Sequence, residues 1–119
     1  MRVLNILPRV YVQDIDQAVP FYEGLFGVAS QNRFSMPNVG LELASVGSLL
    51  IIAGTEVALD PFRSTQATFL VDDLDAFYND LMVKGSTVIR PIQSVPTGRN
   101  MTVRHPDGTI VEYVEHHLG

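Results

Sequence analysis

Glu112 is the residue whose position most suggests chemistry. It lies in the run Thr109 to Glu115, which alternates as a β-strand does and places Ile110, Glu112 and Val114 on one face. A carboxylate between two apolar neighbours on one face is unusual, because a buried charge needs a partner. Such a carboxylate can bind a metal, hydrogen-bond a polar ligand or act as a general base. Glu112 is therefore the first candidate for a functional residue.

A reverse turn precedes this strand. The sequence His105-Pro106-Asp107-Gly108 joins a proline, which presets φ, to an Asp-Gly pair, which tolerates the tight backbone that follows. The segment 101–115 is therefore predicted to form a β-hairpin. His105 is expected to be a solvated turn residue, and His116 and His117 to be exposed residues beyond the last strand instead of metal ligands.

The bulk properties exclude several classes of function. A chain of 119 residues with 46% hydrophobic and 18% charged side chains predicts one domain with a proper core. The net charge is −5 and the eight Lys and Arg residues are scattered, so a nucleic-acid partner is not expected. The absence of cysteine excludes disulfides, thiolate metal sites and a cysteine nucleophile. No apolar stretch has membrane-spanning length, so we expect a cytoplasmic protein without a membrane partner.

The same order of elements is predicted twice. The segment 12–16 (V-Q-D-I-D) lines up with 71–75 (V-D-D-L-D), half a chain length further on. Both halves read as β-α-β-β-β, which favours an internal duplication. We therefore predict one domain, 1–119, made of modules 1–58 and 59–119.

Periodicity gives approximate bounds for these elements. A helix is predicted from about Asp16 to Gly27, with Pro20 in its first turn, where a missing N–H is tolerated. A second helix is predicted over 74–82, closed by Lys84-Gly85. The predicted strands outside the hairpin are 3–12, 29–34, 39–46, 48–53, 66–71 and 87–92, and loops are predicted at 54–65 and 95–100.

The chain resembles the vicinal oxygen chelate superfamily, also called the glyoxalase/bleomycin resistance protein/dioxygenase family. The resemblance covers essentially the whole chain. The residues that carry it are Arg9-Val10-Tyr11-Val12-Gln13-Asp14 with Ala18, Phe21-Tyr22 and Leu25-Phe26-Gly27, then Val71-Asp72-Asp73 with the helix ending at Gly85, and finally His105-Pro106-Asp107-Gly108 with Glu112.

The resemblance implies a fold and an assembly. The expected fold is α+β, with two βαβββ modules whose curled mixed sheets enclose a cavity. Chains of this length in the family commonly form homodimers, so a homodimer is expected. One fold of this kind carries many functions, and the resemblance alone therefore does not select a reaction.

The resemblance also implies where a metal would bind. In metal-dependent relatives the ligands come from the first and last strands of each module, and by motif these positions fall on Leu7, the segment Leu49–Ile52, Gln66 and Glu112. Glu112 is a good ligand and Gln66 a weak one, whereas Leu7 and the segment Leu49–Ile52 offer no donor side chain. We therefore expect no cofactor, with Gln66 and Glu112 as the only weak candidates for a metal.

Strand alternation predicts a cluster of polar side chains around Glu112. Counting by two places Arg9 and Tyr11 on the cavity face of the first strand, with Val10 and Val12 facing the helix. The same count places Gln66 and Thr68 on the cavity face of the second module. The predicted ligand-binding residues are Arg9, Tyr11, Gln66, Thr68 and Glu112. Polar groups converging in an apolar concavity describe a small-molecule site, and they equally suit a buried Arg9–Glu112 ion pair without a ligand.

Three hypotheses of function follow. The first is a metal-independent small-molecule-binding protein that resembles bleomycin-resistance proteins and holds its ligand in the inter-module cavity. The second is a metal-dependent lyase, isomerase or dioxygenase of the glyoxalase type, in which Glu112 is the best candidate for a catalytic residue. The third is a dimeric interaction module whose pocket is vestigial. The acidic charge balance favours a cationic ligand in the first case.

Overall fold

The protein was analysed as a computed structural model, which describes residues 1–117. Its strands and helices are, in chain order, β1 (Val3–Val12), α1 (Ile15–Phe26), β2 (Ser30–Met36), β3 (Leu41–Val46), β4 (Leu49–Ala53), α2 (Glu56–Leu59), a 3-10 helix (Asp60–Phe62), β5 (Thr65–Val71), α3 (Leu74–Val83), β6 (Thr87–Val95), β7 (Gly98–Arg104) and β8 (Ile110–His116). The predicted α+β class and the repeated β-α-β-β-β order are confirmed.

The chain forms two compact units. The α1 unit comprises Pro8–Ser64, and the α3 unit comprises Met1–Leu7 with the described chain from Thr65 onward. Strand β1 therefore contributes to both. These units are defined by packing, and the duplication into modules 1–58 and 59–119 stays a prediction.

In the α1 unit the strand order is β2-β3-β4-β1, with β4 and β1 parallel and the other pairs antiparallel. Helix α1 covers one face of this sheet through Ile15 and Val19. The sheet contributes alternating apolar residues to the same core: Val10, Val12, Ala44, Val46, Ile51 and Ala53. Arg9 and Tyr11 consequently lie on the face that α1 does not cover.

In the α3 unit the order is β5-β8-β7-β6, with β5 and β8 parallel and the other pairs antiparallel. Helix α3 packs on one face of the sheet, in a core that comprises Val71, Leu74, Phe77, Leu81, Met101, Val103, Val111 and Tyr113. The amino terminus is tied to this unit, because Arg2 N donates to Asp72 Oδ1 at 2.7 Å. Since Val111 and Tyr113 face the core, Ile110, Glu112 and Val114 occupy the opposite face, as the sequence predicts.

The cap residues set the ends of α1, but Pro20 is not where the sequence places it. The Asp14 side chain accepts from Asp16 N, and Gly27 ends the helix with φ 71°. Because the helix begins at Ile15, Pro20 lies in the second turn instead of the first. Its missing N–H therefore removes a hydrogen bond within the helix.

The two predicted loops are partly regular structure. The segment 54–65 contains α2, capped by Thr55, and the 3-10 helix, both too short for periodicity to reveal. The predicted loop 95–100 is largely the end of β6 and the start of β7. Pro91 lies inside β6, the outer strand of the α3 unit, where a proline is tolerated. Among the described residues, no helix is both long and apolar enough to cross a membrane.

Candidate functional site

Glu112 is held by two neutral side chains from neighbouring strands. Thr68 Oγ1 on β5 donates to Glu112 Oε1 at 3.1 Å, and Asn100 Nδ2 on β7 donates to Glu112 Oε2 at 2.9 Å. Thr68 pairs with Glu112 across β5 and β8, and Thr102 pairs with it across β7 and β8. Bonds to both carboxylate oxygens fix the orientation of the side chain.

The surroundings of Glu112 combine buried hydroxyls with apolar side chains. Thr65, Thr68 and Thr102 are 2%, 4% and 5% exposed, and Glu112 itself is half-buried. Register places Ile110 and Val114 on the same face of β8. We call Thr65, Thr68, Asn100, Thr102 and Glu112 the Glu112 cluster. It is a set of polar groups on a partly apolar sheet face, which is typical of small-molecule sites.

Sequence reasoning missed three members of this cluster. Asn100 falls in the predicted loop 95–100, whereas it lies in β7 opposite Val114. Thr102 could have been found by counting back from the turn, because the hairpin register pairs it with Glu112. Thr65 falls in the predicted loop 54–65, whereas it is the first residue of β5.

Asn100 carries an unsatisfied acceptor. Its Oδ1 atom is buried and has no hydrogen-bond partner among the described residues. The assignment of nitrogen and oxygen is fixed chemically, because a carboxylate only accepts, so the NH2 group must face Glu112. A buried acceptor without a donor costs free energy and is uncommon in folded proteins.

Gln66 lies at an irregularity of β5. The pairing shifts by one residue between Thr65 and Ala67, so that Gln66 has no direct partner on β8. Its side chain is exposed, whereas Thr65 and Thr68 on either side are buried. Simple alternation could not foresee this difference. The role predicted for Gln66 in ligand binding stays a prediction.

Arg9 and Tyr11 belong to the α1 unit, where they form a local network. Arg9 Nη1 donates to the Tyr11 hydroxyl at 3.0 Å, and that hydroxyl donates to the Phe62 carbonyl at 2.5 Å. Both side chains are half-buried and their strand positions pair with Leu50 and Ile52 of β4. The network anchors the 3-10 helix to β1. The predicted part of Arg9 and Tyr11 in ligand binding stays a prediction.

His105 is less exposed than a solvated turn residue would be. Its Nε2 atom is 2.7 Å from the Tyr113 hydroxyl, and the ring is half-buried beside Phe69. Tyr113 is 4% exposed. Burial, with a smaller contribution from the Asp80 charge, raises the pKa of Tyr113 to about 12. His105 therefore closes the end of the α3-unit core.

The donor set does not fit the metal centre that the sequence resemblance implies. No three His, Cys, Asp or Glu side chains within residues 1–117 lie close enough together to hold a metal ion. Glu112 accepts from the Thr68 hydroxyl and from the Asn100 NH2 group, and Gln66 is exposed. A divalent cation needs several converging nitrogen or oxygen ligands.

A surface cleft of about 480 Å³ lies elsewhere in the α3 unit. It is lined by Leu4, Leu70, Val71, Asp72, Glu115, His116 and His117, and Glu112 is not among them. Its acidic groups are engaged: Glu115 accepts from Leu74 N at 2.8 Å and from Arg99 at 3.2 Å, and Asp72 accepts from Arg2 N. His116 and His117 are exposed, as expected, but His116 is the last residue of β8 instead of lying beyond the strand. The cleft and the Glu112 cluster are distinct places.

Comparisons with solved structures show the same fold. An uncharacterized protein from Methanosarcina mazei is 53% identical, with 98% of this chain and 95% of that chain covered and a TM-score of 0.93. Methylmalonyl-CoA epimerase from Mycobacterium tuberculosis is 22% identical, with 98% and 90% covered and a TM-score of 0.74. The Streptomyces coelicolor methylmalonyl-CoA epimerase in complex with 2-nitronate-propionyl-CoA is 20% identical, with 98% and 100% covered and a TM-score of 0.75. Identities near 20% support the fold alone.

The search of curated proteins found no match. The family model described as Glyoxalase/Bleomycin resistance protein/Dioxygenase superfamily matches residues 3–113, which is nearly the whole chain. With the β-α-β-β-β order repeated in the structure, this match establishes that the chain belongs to the glyoxalase/bleomycin resistance protein/dioxygenase superfamily.

Proposed function

We propose that this protein binds a small molecule without a metal, at the Glu112 cluster, in the manner that the sequence resemblance to bleomycin-resistance proteins suggests. The observation that carries the proposal is the convergence of Thr68, Asn100 and Glu112 from three adjacent strands. Each has a polar atom in contact with another, on a face shared with Ile110 and Val114. A few polar groups fix a ligand's orientation, and apolar neighbours supply contact area.

A thermal-shift screen tests this proposal. The probes are aromatic fragments of similar size that carry cationic, neutral or anionic head groups, tested on the wild type and on Glu112→Gln. A fragment that binds only the folded state must raise the melting temperature, by several degrees at saturating concentration for a chain of this size. We expect hits that are lost in Glu112→Gln.

The matched control is Glu42→Gln, because Glu42 is an exposed carboxylate of β3 in the α1 unit. It should respond to the fragments as the wild type does. Hits that persist in Glu112→Gln would place the site elsewhere. If no fragment raises the melting temperature, the proposal is wrong and a vestigial pocket is the better interpretation.

The metal-dependent isomerase stays the second candidate. Methylmalonyl-CoA epimerases are among the proteins that share the fold. Within residues 1–117, the side chains near Glu112 do not supply the ligands such a centre needs, so we place this candidate behind the first. Metal analysis of untagged protein dialysed against divalent cations separates the two, since one bound metal per chain would support the isomerase and overturn the first proposal.

We further propose that the protein is a cytoplasmic homodimer. Large apolar side chains are exposed on and after α1: Phe21 is 63% exposed, Leu25 65% and Val28 45%. Exposed apolar groups clustered in this way are typical of protein interfaces. The cytoplasmic location rests on the absence of cysteine, and fractionation of the native cells tests it.

A further inference from the structure

Two arginines of the α3 unit lie on the sheet face that carries Glu112. Arg90 on β6 pairs with Thr102 on β7, and Thr102 pairs in turn with Glu112 on β8. Directly paired residues of a sheet project to the same face, so these three side chains form one row across the strands. Arg104 on β7 pairs with Ile110 of β8, and it therefore shares this face.

The pairing also fixes the spacing of these groups. Arg104 follows Thr102 by two positions on β7, which makes it a diagonal neighbour of Arg90, with Cα atoms about 7–8 Å apart. Two long side chains at that separation can bring both guanidinium groups to one anion. Glu112 lies two strands from Arg90, or about 10 Å between Cα atoms at the usual spacing of neighbouring strands.

Both guanidinium groups can contact a ligand. Arg104 is exposed and Arg90 is half-buried. A guanidinium has five N–H donors in a planar fork that matches a carboxylate or phosphate group, so a contact with the protein does not use all of them. Arg99, the third arginine of these strands, lies on the opposite face, where it is paired with Asp75 and Glu115. Of the three, only Arg90 and Arg104 therefore face the candidate site.

The local charge of this face differs in sign from the charge of the whole chain. The chain carries a net charge of −5 with histidine counted as neutral. On the four strands of the α3 unit, in contrast, the face that carries Glu112 has two arginines and one glutamate, which gives a net charge of +1. Because salt screens charges beyond about 8–10 Å, the local groups decide which ligand is favoured, and they favour an anion.

We propose that Arg90 and Arg104 form an oxyanion subsite of the candidate site and bind the carboxylate or phosphate group of its small-molecule ligand. This inference rests on the proposed function, because it names the class of ligand for that same site. The ligand extends from the two arginines across Thr102 toward the Glu112 cluster. Arg90 and Arg104 are then the residues that determine specificity for an anionic ligand.

Four probes of one shape test the inference: para-hydroxybenzoate, para-hydroxyphenyl phosphate, para-hydroxybenzamide and para-hydroxybenzylamine. Each has the same phenol ring for the Glu112 cluster, and the head groups are a carboxylate, a phosphate, a neutral amide and a cation. Titrations followed by ¹H–¹⁵N correlation spectra measure the four dissociation constants. We expect an oxyanion probe to bind at least tenfold more tightly than the amide, and the cation to bind most weakly. The tighter of the two oxyanions identifies the anion of the ligand.

Two variants show whether the arginines determine the preference. Arg90→Gln and Arg104→Gln each remove one guanidinium group, and each should weaken oxyanion binding about tenfold while the dissociation constant of the amide stays unchanged. Lys84→Gln is the matched control, because it removes one positive charge from an exposed residue at the end of α3. It should leave all four constants unchanged. If Arg90→Gln does not fold, the variant of the exposed Arg104 decides the question.

Failure of the inference differs from failure of the proposed function. An amide that binds as tightly as the oxyanions would overturn the inference, as would oxyanion binding that neither arginine variant weakens. In either case, amide binding that is lost in Glu112→Gln would still support the proposed function. If none of the four probes binds, the inference is wrong; the proposed function then stands if the fragment screen yields hits that depend on Glu112, and falls if it yields none.

Discussion

At the scale of single residues, the candidate site consists of Glu112 and the residues that lie beside it on the same sheet face. Strand alternation predicts its face, and the structure confirms that Ile110, Glu112 and Val114 lie opposite the α3 core. Alternation could not predict Asn100, because the Gly98–Arg104 strand begins earlier than its composition suggests. The register of a strand decides which of its polar residues reach a site, and the register depends on the exact start of the strand.

Tyr113 gives a residue-scale prediction about pH. Burial raises the pKa of its phenol from 10.0 to about 12, so folding favours the protonated form. The stabilisation is complete below the unfolded pKa and is lost as the pH rises through the folded pKa. Between pH 10 and pH 12, the wild type should lose on the order of 2 kcal/mol more of its free energy of unfolding than Tyr113→Phe does.

Urea unfolding at a series of alkaline pH values measures this difference. Tyr78→Phe is the control, since Tyr78 is 37% exposed on α3, and its alkaline loss of stability should follow that of the wild type. If the free energy of unfolding falls with pH equally in Tyr113→Phe and in the wild type, folding does not keep the Tyr113 phenol protonated, and the prediction is wrong.

At the scale of elements, long and strongly patterned segments are predictable from sequence and short ones are not. The apolar periodicity of α1 and α3 makes both helices predictable, although α1 begins at Ile15, one residue before the predicted start. Helix α2 has only four residues, fewer than apolar periodicity needs. The register shift around Gln66 has no sequence signal that we recognise.

The turn between β6 and β7 should tolerate no side chain at Gly98. A Cβ atom there would lie 2.0 Å from the Glu115 carbonyl oxygen, which belongs to the paired strand β8. Gly98→Ala must push β7 and β8 apart locally, and we expect a loss of about 1–3 kcal/mol in the free energy of unfolding. Urea denaturation measures it, and a loss below the error of the method would contradict the close approach.

Gly24 is the matched glycine, at which alanine should raise the free energy of unfolding instead of lowering it. It lies within α1, and a Cβ atom there would meet nothing within 4 Å. Gly24→Ala should therefore stabilise the protein by about 0.4–1 kcal/mol, because alanine restricts the unfolded chain and suits a helix. Destabilisation in the same urea experiment would show that α1 does not have the conformation described here.

At the scale of the whole molecule, the proposed homodimer can be tested through α1. Leu25→Lys places a charge among exposed apolar side chains and should shift the protein from dimer to monomer in light scattering. Val83→Lys is the control, since Val83 is 87% exposed on α3 and lies outside the proposed interface. A dimer that survives Leu25→Lys, or a wild type that is monomeric, would contradict this interface.

The central claim is that the Glu112 cluster binds a small molecule without a metal. The most direct measurement is a crystal structure of the wild type grown with a fragment that raises its melting temperature in the thermal-shift screen. The account predicts the polar end of the fragment against Thr68, Asn100 or Glu112, with its apolar part on the same sheet face. A fragment seated instead in the cleft beside His116, or a metal ion coordinated by Glu112, would contradict it.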